Sequence, residues 1–459
     1  MKNRDELISY NFDGLGKKGN FKKVLFPKNP GRIKDIILRS NNIVPRGNGK
    51  NLVGACIPNK SIVIDMKKFT RIKFDIKNEI VNAESGITIK ELNEKLKSVG
   101  YEFPINSEEE STIGGMIAMN SSGYFGKYGK IKDWIGKIDY INGRGERLNI
   151  GRADLAEVCG MEGITGVILN ADLKVIKFKE KSISILQTDE IEEIFLIAKR
   201  LKLDNEVIML RLYSPIMSKF MGFPKKYNLI VGFNSDRGKI KNNHYSKLMN
   251  KIDNERLYLG RNGFLDSEDP KLIFEKIKDF TSYLDRLKVP YVSDLHLGIV
   301  FPYFLKEDLK KEDVNRMIQR MDGIPGEYGY GIKRKNKIDN LQKKIIHRIK
   351  LRHDPFIKMN PGKLIDTFEN KTNPKEFNER KMIDKKNVGK KFIKNMNKNI
   401  IKTKVVENIP RKKNIGGAII KDNLEIKKEP VKKDKDENIK DIMSKFGVGS
   451  DKRDNKNGS

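Results

Sequence analysis

Pro45–Asn51 reads PRGNGKN and directly follows the apolar pair Ile43–Val44. Gly47 and Gly49 remove Cβ atoms where a chain leaving a strand has to turn sharply and where a ligand can approach the backbone. Successive amide N–H groups in such a turn form an anion-binding nest suited to a diphosphate. The same pattern also serves as an ordinary turn after a strand. Three segments downstream favour the ligand. Ser111–Gly123 reads STIGGMIAMNSSG, with Gly114 and Gly115 inside an apolar, weakly charged run whose packing does not call for them. Tyr128, Gly129 and Asp133 follow, and Met161–Ile168 reads MEGITGVI, with Gly163 and Gly166 ahead of a β-branched strand. Four glycine-marked loops between residues 45 and 168 suit a long ligand wrapped by several turns.

Between the loops, Ser61–Asp65 (SIVID), Glu79–Ala83 (EIVNA) and Gly166–Ala171 (GVILNA) are predicted strands. Thr88–Val99 (TIKELNEKLKSV) places Ile89, Leu92, Leu96 and Val99 on one helical face, with Thr88 as N-cap and Glu91 completing a capping box. Short strands alternating with helices from Lys23 to Lys179 imply an α/β arrangement in this part of the chain. From residue 181 the segments lengthen. A helix is expected over Asp189–Leu201, an apolar run over Val207–Leu212, a helix over Pro270–Leu287 opened by its proline, and strands within Tyr291–Phe304. Residues 1–20 read as a polar lead-in. Residues 366–459 hold 26 Lys or Arg against 15 Asp or Glu, a net of +11, and are expected to be mostly disordered, with a short helix near Ile439–Phe446.

The chain has 459 residues, enough for two or three domains, with 37% hydrophobic and 34% charged residues. Its net charge of +32 has two readings: a polyanion-binding surface, or a lysine-rich composition spread over every solvated face. The even spread favours the second, so nucleic acid is not expected as a partner, while peripheral attachment to the inner membrane face stays open. Two cysteines, Cys56 and Cys159, exclude a disulfide scaffold and a four-cysteine zinc or iron–sulfur site. No apolar run approaches the length of a membrane span and the N-terminus lacks a signal core, so a cytoplasmic location is expected.

The order PRGNG, TIGGMIAMNSSG, KYG, EGITGVI resembles the FAD-binding domain of the vanillyl-alcohol-oxidase superfamily, of PCMH type. The intervening SIVIDMKKFTRI and NAESGITIKELNEKLKSVGYEFP resemble that domain as well. This fold is distinct from the Rossmann unit and needs no GxGxxG. The resemblance implies FAD as cofactor and an α+β chain: a two-subdomain FAD-binding domain over residues 20–180, an α+β FAD-linked oxidase cap domain over 181–365, and the basic tail. It also implies that Pro45, Arg46, Gly47, Asn48, Gly49, Lys50 and Asn51 wrap the pyrophosphate. Lys50 stands where a Thr or Ser is usual and supplies a point charge instead. Thr112, Gly115, Asn120 and Gly123 are implied to flank the ribityl chain and flavin, near Tyr128 and Gly129. Glu162, Gly163, Gly166 and Ile168 are implied to line the adenine and ribose side.

Two later segments resemble the branch containing D-lactate dehydrogenases and glycolate-oxidase flavin subunits. Asp354–Lys363 (DPFIKMNPGK) matches the branch pattern DPxxxxNPGK, placing Asn360 near the flavin. Gly326–Gly331 (GEYGYG) stands where the branch has GEHGIG, so its histidine, the expected base, is Tyr328 here. A phenol titrating near 10 is a poor base at neutral pH. An upstream metal-binding GHxGDGNxH is reduced to YVSDLHLG, in which only His296 remains. His296 and Glu327 leave too few ligands for a metal, and none is assigned. His296, Glu327 and Tyr328 are the catalytic candidates. Arg211, Arg237 and Arg334 are candidates to hold a substrate carboxylate. The reading implied is an FAD-dependent dehydrogenase of a small 2-hydroxy acid or related alcohol. It would pass electrons to a separate iron–sulfur protein, quinone or electron-transfer flavoprotein. Two alternatives stand beside it: a flavin-binding subunit with a non-catalytic or altered substrate site, and an RNA- or membrane-associated protein using the tail.

Overall fold

A computed structural model describes residues 5–324 and 328–366, which fall in one contact unit. Glu327, the basic tail and the helix expected near Ile439–Phe446 lie outside the described residues.

The first sheet is parallel: β1 (Asn20–Leu25), β2 (Ile43–Arg46) and β3 (Asn59–Asp65) pair in the order β1-β3-β2. The helix Pro30–Arg39 connects β1 to β2, opened by Asn29, whose side chain accepts from Arg32 N, and by Pro30 in the first turn. Its Ile33, Ile36 and Ile37 pack with Ile43 and Ile64 of this sheet and with Ile141, Val167 and Leu169 of the next.

That second sheet is antiparallel, β4-β5-β9-β7-β8, from β4 (Ile72–Asp75), β5 (Ile80–Glu84), β7 (Ile135–Asn142), β8 (Arg147–Gly151) and β9 (Gly166–Lys174). A two-residue ribbon pairs β6 (Tyr101–Glu102) with β10 (Ile176–Lys177). The helix Ile89–Lys97 has the expected capping box at Thr88 and Glu91 and buries Ile89, Leu92 and Leu96 against the sheet. Fully burying one such side chain is worth roughly 1.5–3 kcal/mol.

The third sheet, β11-β13-β12-β15-β16-β14, is antiparallel throughout and comprises β11 (Ser182–Thr188), β12 (Val207–Tyr213), β13 (Tyr227–Phe233), β14 (Phe264–Ser267), β15 (Tyr291–Asp294) and β16 (Ile299–Leu305). Its central strands β12, β13, β15 and β16 are buried on both faces, which explains apolar runs without polar alternation. Along β13, Leu229, Val231 and Phe233 face the helices Ile191–Leu201, Phe274–Arg286 and Lys310–Arg320, whereas Ile230 faces Ile252, Leu259 and Phe125. Phe125 comes from the glycine-loop region, so the third sheet closes over the loops.

Two expectations are corrected. The helix predicted over Pro270–Leu287 begins at Phe274, because Lys271 exchanges backbone hydrogen bonds with Ile324 and Pro270 accepts from Val300 N. Residues 1–20 are more than a lead-in: Asp5–Asn11 forms a 3₁₀ turn. Its Tyr10 is buried, donates to Asp65 and receives the Arg46 guanidinium over its ring at 5.2 Å.

Candidate active site

A cleft of about 270 Å³ opens between the glycine loops and the third sheet. It is lined by Pro45–Asn51, Thr112, Gly115, Gly123, Glu162, Gly163, Gly166 and Ile168, so most of the loop residues singled out in the sequence meet at one place. The loops are pressed together. A Cβ on Gly47 would lie 2.1 Å from Thr112 Oγ1, and Gly163 combines φ 75° with a Cβ position 2.8 Å from Pro45 Cγ. Thr112 caps the helix Ile113–Met119 by accepting from Gly115 N. The paired glycines divide their roles: a Cβ on Gly114 would strike Ser85, while one on Gly115 would meet only Thr112 Oγ1, at 3.0 Å. Gly114 is therefore a packing glycine, contrary to the expectation for this run.

The cradle suits a polar, phosphate-bearing ligand. Among the described residues, the backbone N–H groups of Asn48, Gly49 and Lys50 have no protein acceptor. Ser85 Oγ, also on the cleft wall, is buried without a hydrogen-bond partner. Unpaired donors on residues lining one cleft supply the fixed dipoles an anion needs. Arg46 contributes differently: its guanidinium lies under the loop, over Tyr10, and reaches Cys56 Sγ at 3.4 Å.

Four expected cofactor residues do not line the cleft. Asn120 is the left-handed C-cap of the helix Ile113–Met119, and Tyr128 stands edge-on to Phe125 and Trp134. Gly129 ends the 3₁₀ turn that carries Tyr128. Asn360 is buried beneath the loops, where its amide donates to Ala55 O at 2.6 Å and Glu162 O at 2.8 Å. NPG thus clamps two cleft loops together from behind.

Glu162 is also more than a loop carboxylate. It accepts from Tyr330 N at 2.6 Å and Gly331 N at 2.7 Å, joining the GEYGYG segment to the fourth loop. Burial pushes its pKa up to about 7 against the pull of those two N–H groups. From the other side, Asp269 accepts from Tyr328 N and pairs with Arg334, which is fully buried and also meets Glu268 at 3.5 Å.

Tyr328 does reach the cleft, stacked on Phe301 with ring centroids 5.1 Å apart. Burial raises its pKa to about 12, so at neutral pH it is a phenol that can donate a hydrogen bond and not a base. His296 does not line the cleft. Asp294 accepts from the amides of His296 and Leu297, both at 2.9 Å, and the resulting turn presents Leu297 instead. Burial, then Lys202 and Lys127, lower the His296 pKa to about 4, and its Nε2 is buried without a hydrogen-bond partner. Among the described residues no group of three His, Cys, Asp or Glu is placed to hold a metal ion.

The cation is one the sequence did not suggest. Arg211 lines the cleft but is held by Glu255, with both carboxylate oxygens at 2.6 Å. Arg237 pairs with Asp204 and Glu206, and Arg334 with Asp269. Arg256 also lines the cleft, lies over the Tyr328 ring at 5.1 Å and donates to its hydroxyl. Among the described residues it makes no ion pair within 4 Å. Nothing in the spacing of ERLYLGR (Glu255–Arg261) signals this, because the contact spans more than 70 residues of sequence.

Residues 21–151 match the family model for an FAD binding domain, and the chain carries that domain. The cofactor inferred from the four loops is therefore FAD. The chain is similar to D-lactate dehydrogenase of Archaeoglobus fulgidus, 27% identical over 168 residues, covering 33% of this chain and 38% of that protein. It is also similar to glycolate oxidase subunit GlcD of Bacillus subtilis, 28% identical over 181 residues, 36% of this chain and 38% of that one. The chain thus spans less than two-fifths of the length of these curated relatives. Among solved structures, an alkyldihydroxyacetonephosphate synthase shares the fold, with a TM-score of 0.56 at 17% identity over 74% of this chain and 76% of that one. No helix of the described residues is long and apolar enough to cross a membrane.

Proposed function

We propose that this chain is an FAD-dependent oxidoreductase acting on the CH–OH group of a small anionic substrate, of the 2-hydroxy acid class. The observation carrying this reading is Arg256, a cation with no ion pair within 4 Å among the described residues, lining the same cleft as the FAD loops. A guanidinium in a partly desolvated cleft binds a carboxylate by charge-assisted, bidentate hydrogen bonds. Pro45–Asn51, Thr112, Gly115, Glu162 and Gly163 would hold FAD, which when bound supplies a two-electron acceptor. Tyr328, fixed by Phe301 and Arg256, would orient the substrate through its hydroxyl, while Leu297 and Phe301 keep water out. With two cysteines in the sequence, the electrons would leave to a separate acceptor, an iron–sulfur protein, quinone or electron-transfer flavoprotein.

The test is anaerobic mixing of the FAD-loaded chain with a panel of D-2-hydroxy acids while the flavin spectrum is followed. Bleaching by one of them, weakened about 100-fold or more in apparent affinity by Arg256→Ala with FAD binding retained, is the expected result. A flavin that no member of the panel bleaches would refute the reading. The displacement of His296 from the cleft favours one second reading, a flavin-binding subunit with an altered substrate, which the same panel separates.

A further inference from the structure

Five carboxylates line the cleft: Glu108, Glu162, Asp253, Glu255 and Asp294. Four are committed. Glu162 takes two backbone amides, Asp253 accepts from Tyr124 Oη at 2.6 Å, and Asp294 fastens the His296 turn. Glu255 neutralises Arg211 and also accepts from Tyr213 and Tyr303. Glu108 differs. Among the described residues its side chain makes no hydrogen bond, and its one ion-pair contact within 4 Å is Lys50 Nζ at 3.9 Å, beyond hydrogen-bonding distance.

We propose that Glu108 is the proton acceptor of the cleft, taking the hydroxyl proton of the anionic substrate that Arg256 anchors. The inference rests on the proposed oxidoreductase function. The substrate O–H proton passes to a Glu108 carboxylate oxygen, and the O–H electron pair becomes the second bond of the new carbonyl. The hydrogen on the same carbon leaves with its bonding pair to the bound FAD, the oxidant. No other oxidant is needed. Glu108 precedes the capping Thr112 in the loop that enters the second glycine segment, so it is carried by the FAD domain, and it shares the cleft with Arg256 closely enough to feel its charge. The charged groups facing it are Arg256, Asp253 and Glu255 from the cap side and Lys50 from the first loop. Glu109 and Glu110 adjoin it in sequence. Burial lifts its pKa above the ordinary glutamate value, moving its basicity toward that needed at neutral pH, while Arg256 and Lys50 restrain the rise. This arrangement makes a histidine in the GEYGYG segment unnecessary.

The experiment uses the FAD-loaded full chain and Glu108→Gln and Glu108→Ala, with FAD affinity as the check that each folds. In an infrared pH titration, the wild type minus Glu108→Gln difference should show one protonated-carboxyl band, titrating above the ordinary glutamate range. A band titrating within that range overturns the proposal. With a substrate that bleaches the wild type, Glu108→Gln should slow bleaching at neutral pH by about 100-fold or more, and formate or acetate should restore rate to Glu108→Ala. Wild-type rates in both variants, or no rescue, also overturn it. An unbleached wild type refutes the oxidoreductase reading itself, whereas a bleached wild type with equally fast variants refutes Glu108 alone.

Discussion

Glu162 is the buried carboxylate that joins the fourth loop to the segment carrying Tyr328, and its ionisation should be visible in stability. Its native pKa of about 7 lies above the ordinary value of 4.5 because burial disfavours the charge. Between those values the native state keeps a proton that the unfolded chain has released. Stability is then full below about pH 4.5, falls as pH rises through the window, and levels off above about 7. The gap between 4.5 and about 7 corresponds to about 3.4 kcal/mol, of which about 2.5 kcal/mol falls between pH 5 and pH 8. Glu162→Gln keeps the shape, cannot ionise, and turns its NH2 toward one of the two amides, a loss of about 1–3 kcal/mol at every pH. Urea denaturation of the FAD-free chain at pH 5, 6, 7 and 8 should therefore give wild-type and variant stabilities that converge or cross, the difference changing by about 2–3 kcal/mol in favour of the variant as pH rises. Taking the difference removes the contribution of Asp13, Glu102 and Asp285, whose pKa values burial also raises. Parallel curves, or a difference of opposite sign, would show that Glu162 is not the buried, proton-holding clamp described here.

Other outcomes follow from single contacts. Tyr328→Phe should leave the pH dependence of flavin bleaching unchanged below about pH 9, since a phenol at about 12 carries no charge there; loss of a neutral-pH limb in the rate profile would contradict this. Gly163→Ala should lose about 1–3 kcal/mol in urea denaturation, from its positive φ and its contact with Pro45, whereas Gly115→Ala should keep stability and lose FAD affinity in fluorescence titration. Arg211→Ala should lose about 3–5 kcal/mol by the same measurement, because it leaves the buried Glu255 without its cation; a loss under about 1 kcal/mol would refute the buried pair as a stabilising contact.

The parts of the site legible in the sequence are those whose physics is local. A glycine turn after a strand, a Thr–Glu capping box and a run of β-branched residues each act within a few positions, so PRGNGKN, Thr88–Glu91 and GVILNA were readable without knowing what lay across from them. The same local reading failed where a residue's partner is remote. Asn360 clamps Ala55 and Glu162 from some 200 to 300 residues away, Tyr10 reaches Asp65, and His296 turns away from the cleft because Asp294 ties down its amide.

By itself, the sequence determined the cofactor: FAD follows from glycine-marked loops whose order and spacing are properties of the chain alone, the first three of them within the matched residues 21–151. The tertiary structure decided which residues share the cleft with those loops. Arg256, Tyr328 and Glu108 come from three separate segments, and only the closure of the third sheet over the glycine loops sets them around one cleft. It also decided which arginine is spent on a buried carboxylate and which is left without an ion pair among the described residues, because an ion pair depends on distance in space and leaves no mark in sequence spacing.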